Sequence, residues 1–462
     1  LATGEVYSWH QIRSYSKAAV ISTWPWKGPN DAAWRNIDHP SGSAVSAVVA
    51  GCTAAEEYKS IPTVGAGGSP DENGNTTLCH GDRCLGFLFF VALILLGFAN
   101  GKSIVVPWAD LYPPSYKEMV VINTWPLLEP ARSAFQVLQR GGSPLEAVVA
   151  GCTVAEADPN VTSVGYGGSP DEIGNTTLNA MVMDGDSMNV GAVAEMPYIK
   201  QAAQVALGVL NSTRHTLLVG EAAAKFAESL GYHRTNLSTN ESLTIWKQWK
   251  NTRCQPNFRI PYVWVPNPNQ SCGPYRYKNG SRNNDDIAME FKKIKSHLFS
   301  APQNSRTELG IDEENHDTIG VIALNQRGRM AVGLSTNGAR FRIPGRIGDS
   351  PIPGAGGYAD SKVGAAAGTG DGDVMMRFLL SFKAVELMRA GKHPSDACTI
   401  SLKTVRQKGL WYGGLIALNA DGQYGAACVG FKKFAFVVQN SGSAKNGKVI
   451  KVKCLTPREL AN

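Results

Sequence analysis

Two stretches of this chain are close copies of one another, and any fold for it has to accommodate both. Ile21–Leu78 carries S-T-W-P, S-A-V-V-A-G-C-T, V-G-A-G-G-S-P-D-E and G-N-T-T-L. Ile122–Leu178 carries N-T-W-P, E-A-V-V-A-G-C-T, V-G-Y-G-G-S-P-D-E and G-N-T-T-L in the same order, at an offset of 101 residues that drops to 100 after one gap. Solenoids need at least three stacked units. Nothing similar recurs downstream, so the pattern predicts a partial duplicate of one domain.

Between the copies lies Leu85–Ala99, almost wholly apolar, preceded by Gly81-Asp82-Arg83 and followed by Asn100-Gly101-Lys102-Ser103. It is shorter than the ~20 residues of a spanning helix and has the length of a signal-peptide core. No methionine precedes Met119. The expectation is a truncated first copy, residues 1–80, joined through a leader-like segment and linker, residues 81–117, to a second copy that still carries its own leader. A true membrane anchor, with the first copy on the other side, is the alternative.

The net charge of +7 over 462 residues is modest, and Lys and Arg are scattered. That argues against a nucleic-acid footprint, and Lys445–Lys453 reads as a solvated tail. Cysteines are too few for a disulfide scaffold and show no C-x-x-C zinc pair. Sequons at Asn160, Asn211, Asn236, Asn240, Asn269 and Asn279 favour a secretory route.

From Glu118 onward the chain reads as one continuous α/β domain. Met119–Thr124 predicts a strand and Glu129–Arg140 an amphipathic helix. Ser143-Pro144-Leu145-Glu146 has capping-box spacing and opens a second helix. Ala180–Asp184 and Val190–Ala194 make a hairpin about Gly185-Asp186, and Tyr198–Leu210 and Gly220–Ser229 read as helices around a strand at Thr216–Val219. Asn251–Gly280 reads as irregular chain that Cys254 and Cys272 could close. Strands are expected at Ile319–Leu324, Met330–Ser335, Gly414–Leu418, Tyr424–Val429 and Phe434–Gln439, a loop at Ile343–Tyr358, and one long helix at Asp373–Gly391.

The polar segment Ser300–Asn315 meets the first of those later strands at His316-Asp317-Thr318-Ile319-Gly320. Taken alone, Thr318 is a β-branched residue opening a strand. A cut before it would instead leave a hydroxyl and a free α-amine on one residue, a nucleophile carrying its own base. Serine-hydrolase and zinc-hydrolase chemistry lack their G-x-S-x-G and H-E-x-x-H signatures here. The run Gly368–Asp373 lacks the P-loop lysine and carries aspartates that would repel phosphate. Thr369 and the N–H of Gly370, at a helix start, could instead donate to a developing oxyanion. Arg346 and Asp349, in a glycine-rich loop, could grip the carboxylate and ammonium of an amino acid, or form an ordinary loop salt bridge.

Taken together, His316-Asp317-Thr318-Ile319-Gly320, Ser335-Thr336-Asn337-Gly338, the run Gly345 to Gly356 and the run Ala367 to Asp373 resemble the glycosylasparaginase (aspartylglucosaminidase) family. This is a branch of the N-terminal-nucleophile hydrolases that also holds the plant-type isoaspartyl peptidase/L-asparaginases. The resemblance runs in order from Met119 to about Cys454 and includes H-T-L-L-V-G-E and C-Q-P-N-F.

The resemblance implies an α+β fold, the four-layer αββα sandwich, here with an extra N-terminal repeat. It also implies autoproteolysis between Asp317 and Thr318, giving an α chain (residues 118–317) and a β chain (residues 318–462) that pair into a dimer of αβ units. By position, Thr318 is similar to the nucleophile and Thr336 to its hydroxyl partner. Thr369 and Gly370 match the oxyanion hole, Arg346 and Asp349 the substrate clamp, and Gly372 the same binding loop. Of the two T-W-P tryptophans, Trp24 and Trp125, the second is continuous with the catalytic half and is favoured. Cys254–Cys272 and Cys428–Cys454 match family disulfides, whereas Cys398 lacks its usual partner because Ile416-Ala417-Leu418 stands there. No cofactor or metal is implied, nor a nucleic-acid or stable membrane partner. The implied substrate is the β-amide of N-glycosylated asparagine, with β-aspartyl dipeptides and asparagine as an alternative. An inactive fusion product is the reading of another class.

Overall fold

A computed structural model describes residues 27–37, 44–57, 117–261, 263–278, 317–405, 412–442 and 447–461. The leader-like segment, Trp24, the linker Ser300–Asn315, His316 and Lys445 lie outside the described residues. The chain divides into two units, Leu1–Val106 and Pro107–Asn462.

In the first unit, α1 (Lys27–Ile37) packs on α2 (Ala44–Glu56). A Cβ on Gly51 would stand 3.2 Å from the Pro29 carbonyl oxygen, so the helices touch where that residue has no side chain. The second unit makes the same contact. After β1 (Val120–Asn123), α3 (Leu128–Gln139) packs on α4 (Pro144–Ala157), and a Cβ on Gly151 would stand 2.9 Å from the Pro130 carbonyl oxygen. The repeated sequence folds into the same helix pair twice. The capping box expected at the start of α4 is present: Glu146 N donates to Ser143 Oγ at 3.2 Å and Ser143 N donates to Glu146 Oε2 at 2.8 Å.

The second unit continues with β2 (Thr177–Asp184), β3 (Val190–Pro197), α5 (Ala202–Ser212), β4 (Leu217–Val219), α6 (Gly220–Ser229) and α7 (Asn240–Asn251). The short strand β5 (Trp264–Val265), inside the Cys254–Cys272 loop, pairs with β6 (Arg276–Tyr277), just beyond it. Then come β7 (Ile319–Leu324), β8 (Met330–Thr336), β9 (Gly357–Asp360), β10 (Gly364–Gly370), α8 (Gly372–Phe378), α9 (Leu380–Arg389) and α10 (Pro394–Lys403). The chain closes with β11 (Gly413–Asn419), β12 (Tyr424–Val429), β13 (Lys433–Asn440), β14 (Lys448–Lys453) and the short α11 (Pro457–Ala461).

Eight strands form one sheet in the order β14-β13-β1-β7-β8-β2-β3-β4, and four form a second in the order β12-β11-β10-β9. Val148 and Val193 belong to a core between the larger sheet and helices, Met181 and Phe434 to one between the sheets, and Val385 and Leu402 to one between the smaller sheet and its helices. The fold is α+β, stacked as helices, sheet, sheet, helices. Strand β7 shows why an unbroken apolar run was needed. Its odd-numbered residues, Ile319, Val321 and Ala323, enter the helix-facing core; Ile322 and Leu324 enter the space between sheets. Burying one such side chain is worth about 1.5–3 kcal/mol.

Four expectations change. The long helix expected over Asp373–Gly391 is two helices, broken where Leu379 adopts φ +49°. The break lets Phe382 N and Ser381 Oγ donate, each at 2.9 Å, to the carbonyl oxygens of Gly354 and Gly356. Gly370 ends strand β10 rather than a helix start; Asp371 caps the helix that follows, accepting from Val374 N at 3.3 Å. The loop Ile343–Tyr358 gives its last two residues to β9. Within the basic tail, Lys448–Lys453 is an edge strand that pairs with β13 while Lys448, Lys451 and Lys453 stay exposed. Both expected disulfides, Cys254–Cys272 and Cys428–Cys454, are formed, and Cys152 and Cys398 are buried free thiols.

Candidate active site

Thr318 directly precedes β7, an interior strand flanked by β1 and β8. The antiparallel registers, Asn123 opposite Val321 and Ile319 opposite Ser335, bring the ends of both neighbours to that point. Thr124 and Trp125 arrive from the end of β1, and Thr336 from the end of β8. The second sheet reaches it because β10 is made only of glycine, alanine and threonine: a Cβ on Gly320 would stand 2.7 Å from Ala367 Cβ. Thr369 is thereby brought to Thr318.

Each backbone group around this threonine is held. Thr318 N donates to Thr369 Oγ1 at 3.2 Å. The Thr318 carbonyl oxygen accepts from Trp125 Nε1 at 2.9 Å and from Thr124 Oγ1 at 3.0 Å. Thr124 Oγ1 also accepts from Gly320 N at 2.9 Å. One residue earlier, the Asp317 carbonyl oxygen accepts from Thr336 Oγ1 at 3.1 Å, and that hydroxyl in turn accepts from Gly338 N at 2.9 Å. Asp317 itself has φ +67°, left-handed backbone that a non-glycine residue rarely adopts. Thr318 Oγ1 lies 3.1 Å from Ser350 Oγ. Thr318, Thr336, Thr369 and Ser350 are all buried.

The Arg/Asp loop does not form the salt bridge that spacing alone allowed. Arg346 donates from Nε and one terminal nitrogen to Asp373 Oδ2 at 3.1 and 2.8 Å. Asp349 Oδ2 has no hydrogen-bond partner among the described residues. Gly372 is required beside it, since a Cβ there would stand 2.8 Å from Asp349 Oδ1. Burial pushes the Asp349 carboxyl up to about 7, with Arg346 pulling the other way. Burial pushes Asp317 up to about 7 too, opposed first by Arg346 and then by Arg340. A buried acid with one unused oxygen is suited to receive an ammonium group. Asp373, with its side chain half exposed, is a partner that an incoming carboxylate could replace on Arg346.

The structure thus brings Thr369 and Trp125 into direct hydrogen bonds with Thr318 and Thr336 into one with the Asp317 carbonyl, with Asp349 and Gly372 packed against each other. The sequence motifs did not single out Ser350, Thr124 or Asp373, although all three stand inside them. Nor did they single out Glu156, buried under β8, whose Oε1 accepts from Ser335 Oγ at 2.7 Å and from Ala203 N at 2.9 Å. Burial pushes that carboxyl up to about 7 against both bonds.

Hydroxyls and an indole N–H directed at two successive backbone carbonyls, beside a loop holding an arginine and a buried acid with an unused oxygen, are suited to opening an amide; the class is that of the amidohydrolases. The family is narrower: residues 113–447 match the family model described as asparaginase, and the chain belongs to that family. The rat protein named N(4)-(beta-N-acetylglucosaminyl)-L-asparaginase is 44% identical over 329 residues, covering 70% of this chain and 88% of its own length. The mouse protein of the same name is also 44% identical over 329 residues, with the same coverage. A cephalosporin acylase structure from Bacillus halodurans matches at a TM-score of 0.26 and 10% identity, covering 78% of this chain and all of that one, too weakly to define the fold.

Proposed function

We propose that the chain is a precursor that cuts itself between Asp317 and Thr318 and then hydrolyses the β-amide of N-glycosylated asparagine. The observation that carries this reading is the Asp317–Thr318 bond: its carbonyl oxygen accepts from Thr336, its N–H donates to Thr369, and its acyl residue is in left-handed backbone. In the precursor, Thr318 Oγ1 attacks the Asp317 carbonyl carbon. The C–N bond breaks, the hydroxyl proton ends on the freed Thr318 nitrogen, and an ester joins Asp317 to Thr318 Oγ1. Water opens that ester, leaving the Asp317 carboxylate and the Thr318 hydroxyl.

In the cut enzyme, the α-amine of Thr318 takes the proton from its own hydroxyl; such amines titrate near 7.7–8.0 when unperturbed, close to working pH. Oγ1 attacks the side-chain amide carbon of the substrate, and Thr369 with the N–H of Gly370 receives the oxyanion. The glycosylamine leaves with the proton, and water releases aspartate. Arg346 and Asp349 hold the α-carboxylate and α-ammonium, and Trp125 holds Thr318 in place.

Residues 118–317 and 318–462 are the two chains of this reading, paired into a dimer of αβ units, and residues 1–80 and 81–117 are the truncated duplicate and the leader-like segment. The stacked layers are those of an N-terminal-nucleophile sandwich. Exposed sequon asparagines at Asn160, Asn211, Asn236, Asn240 and Asn269, with two disulfides, support a secretory route. Among the described residues no helix is long and apolar enough to cross a membrane.

N-terminal sequencing of the smaller purified fragment is expected to start at Thr318, and Thr318→Ala is expected to stay uncut and inactive. An active preparation that remains uncut, or a different new N-terminus, would sink the mechanism. Aspartate release from glycosylated asparagine should exceed release from a β-aspartyl dipeptide; the opposite order would make it an isoaspartyl peptidase.

A further inference from the structure

Thr336 Oγ1 is engaged by the Asp317 carbonyl and Gly338 N. A different hydroxyl, Ser350 Oγ, lies 3.1 Å from the attacking atom, Thr318 Oγ1. We propose that Ser350 is a positioning residue for the nucleophile, fixing the direction of the Thr318 hydroxyl in self-cleavage and in turnover. The proposal rests on Thr318 being the nucleophile.

Two features make this contact a built one. Ser350 is 1% exposed, so water does not compete for either hydroxyl. Its backbone is held by a tight turn in which Ile352 N and Gly356 N donate to the Asp349 carbonyl oxygen at 2.9 and 3.1 Å. A Cβ on Gly356 would stand 2.7 Å from Ser350 Cα, so the turn closes only around glycine. The serine therefore has little freedom to leave the threonine.

The chemistry needs such a partner most before the cut. The nitrogen of Thr318 is then an amide, which is no base, and its N–H already donates to Thr369. A threonine hydroxyl has three rotamers, and an attack requires one of them with a lone pair facing the carbonyl carbon. Sharing a hydrogen bond with Ser350 ties Oγ1 to one direction, whichever of the two donates. After the cut, when the α-amine takes the Thr318 proton, Ser350 donates to Oγ1 and keeps the orientation. Thr336 serves the carbonyl under attack while Ser350 serves the attacker.

Ser350→Ala removes one oxygen and leaves the turn's backbone bonds untouched. We expect self-cleavage of the purified precursor and kcat of the cut enzyme each to fall about tenfold or more, the loss of one well-placed hydrogen bond. KM is expected to hold, because Arg346 and Asp349 stay in place. Wild-type rates of cleavage and turnover would overturn the proposal. So would a raised KM at unchanged kcat, the signature of a serine that merely supports Asp349. If Ser350→Ala fails to fold, Ser350→Cys keeps the side chain with a weak hydrogen-bonding group; loss of rate in a folded Cys variant supports the role, and a wild-type rate overturns it. Thr318→Ala run in parallel separates the two ideas: its cleavage would refute the nucleophile itself, whatever Ser350 does.

Discussion

The indole nitrogen of Trp125 donates to the carbonyl oxygen of Thr318 at 2.9 Å, joining residues 193 positions apart in the chain. That bond sets the tryptophan of the second T-W-P copy on the threonine; Trp24, of the first copy, lies outside the described residues. Replacing Trp125 by Phe removes the donor but keeps an aromatic ring, leaving Thr124 Oγ1 on the same oxygen. We expect kcat/KM to fall roughly tenfold with little change in melting temperature. Steady-state kinetics and a thermal melt check this; unchanged kinetics would mean the indole N–H has no part in turnover.

Thr336 presents its hydroxyl to the Asp317 carbonyl, that of the bond proposed to be cut. Thr336→Ala is expected to lengthen the half-life of the precursor by about 100-fold or more, the usual cost of losing an oxyanion donor. Thr336→Ser, which keeps the oxygen, should stay within a few fold of wild type. The fraction cut against time on a denaturing gel reads both.

In the proposed reaction, Arg346 and Asp349 bear on binding rather than on the chemical step. Arg346→Lys keeps the charge but loses the planar fork, and KM is expected to rise at least about tenfold while kcat changes less. Asp349→Asn should raise KM similarly for substrates with a free α-ammonium and hardly at all for an N-acylated analogue. Equal losses on both substrates would remove Asp349 from ammonium recognition.

The buried acids set a pH dependence of known sign. Glu156 titrates at about 7 in the fold, above the ordinary glutamate value, because burial favours its neutral form. Its contribution to stability is whole at pH values below the unfolded glutamate pKa and is lost as pH rises through about 7, since the unfolded chain releases its proton first. Asp317 and Asp349 act with the same sign. Glu156→Gln cannot ionise, so the decline in melting temperature between pH 5 and pH 8 should be shallower in the variant. Parallel pH profiles for the two proteins would contradict a burial-shifted Glu156.

Much of this site could be read in the chain because its chemistry is local. Thr318 is marked by a polar segment ending at an unbroken apolar strand, and Ser143 with Glu146 marks a helix start by spacing alone. Strand β10 was hidden, since Gly364–Gly370 contains no apolar β-branched or aromatic residue and looks like a loop. It is a strand because small residues let two sheets approach, and that is a property of the packing. The break at Leu379 was hidden for a similar reason, as the carbonyls that capture Ser381 and Phe382 lie far back in the chain. Ser350 was in view within a quoted motif, but nothing in one dimension sets its hydroxyl beside Thr318.

The strand order of the larger sheet has an outcome for the molecule's history. A cut after Asp317 would assign β1, β2, β3 and β4 to one piece and β7, β8, β13 and β14 to the other, with β1 clasped between β13 and β7. The pieces interleave in the larger sheet, so neither owns the whole of it and neither could shed its partner without exposing strand edges and core. Such a molecule would be assembled once, as a single chain, and would afterwards keep a shape that its severed parts have to find by collision. Unfolded and then returned to native buffer, the uncut Thr318→Ala chain would refold in a first-order process, whereas the cut form would depend on concentration and lose material to aggregation.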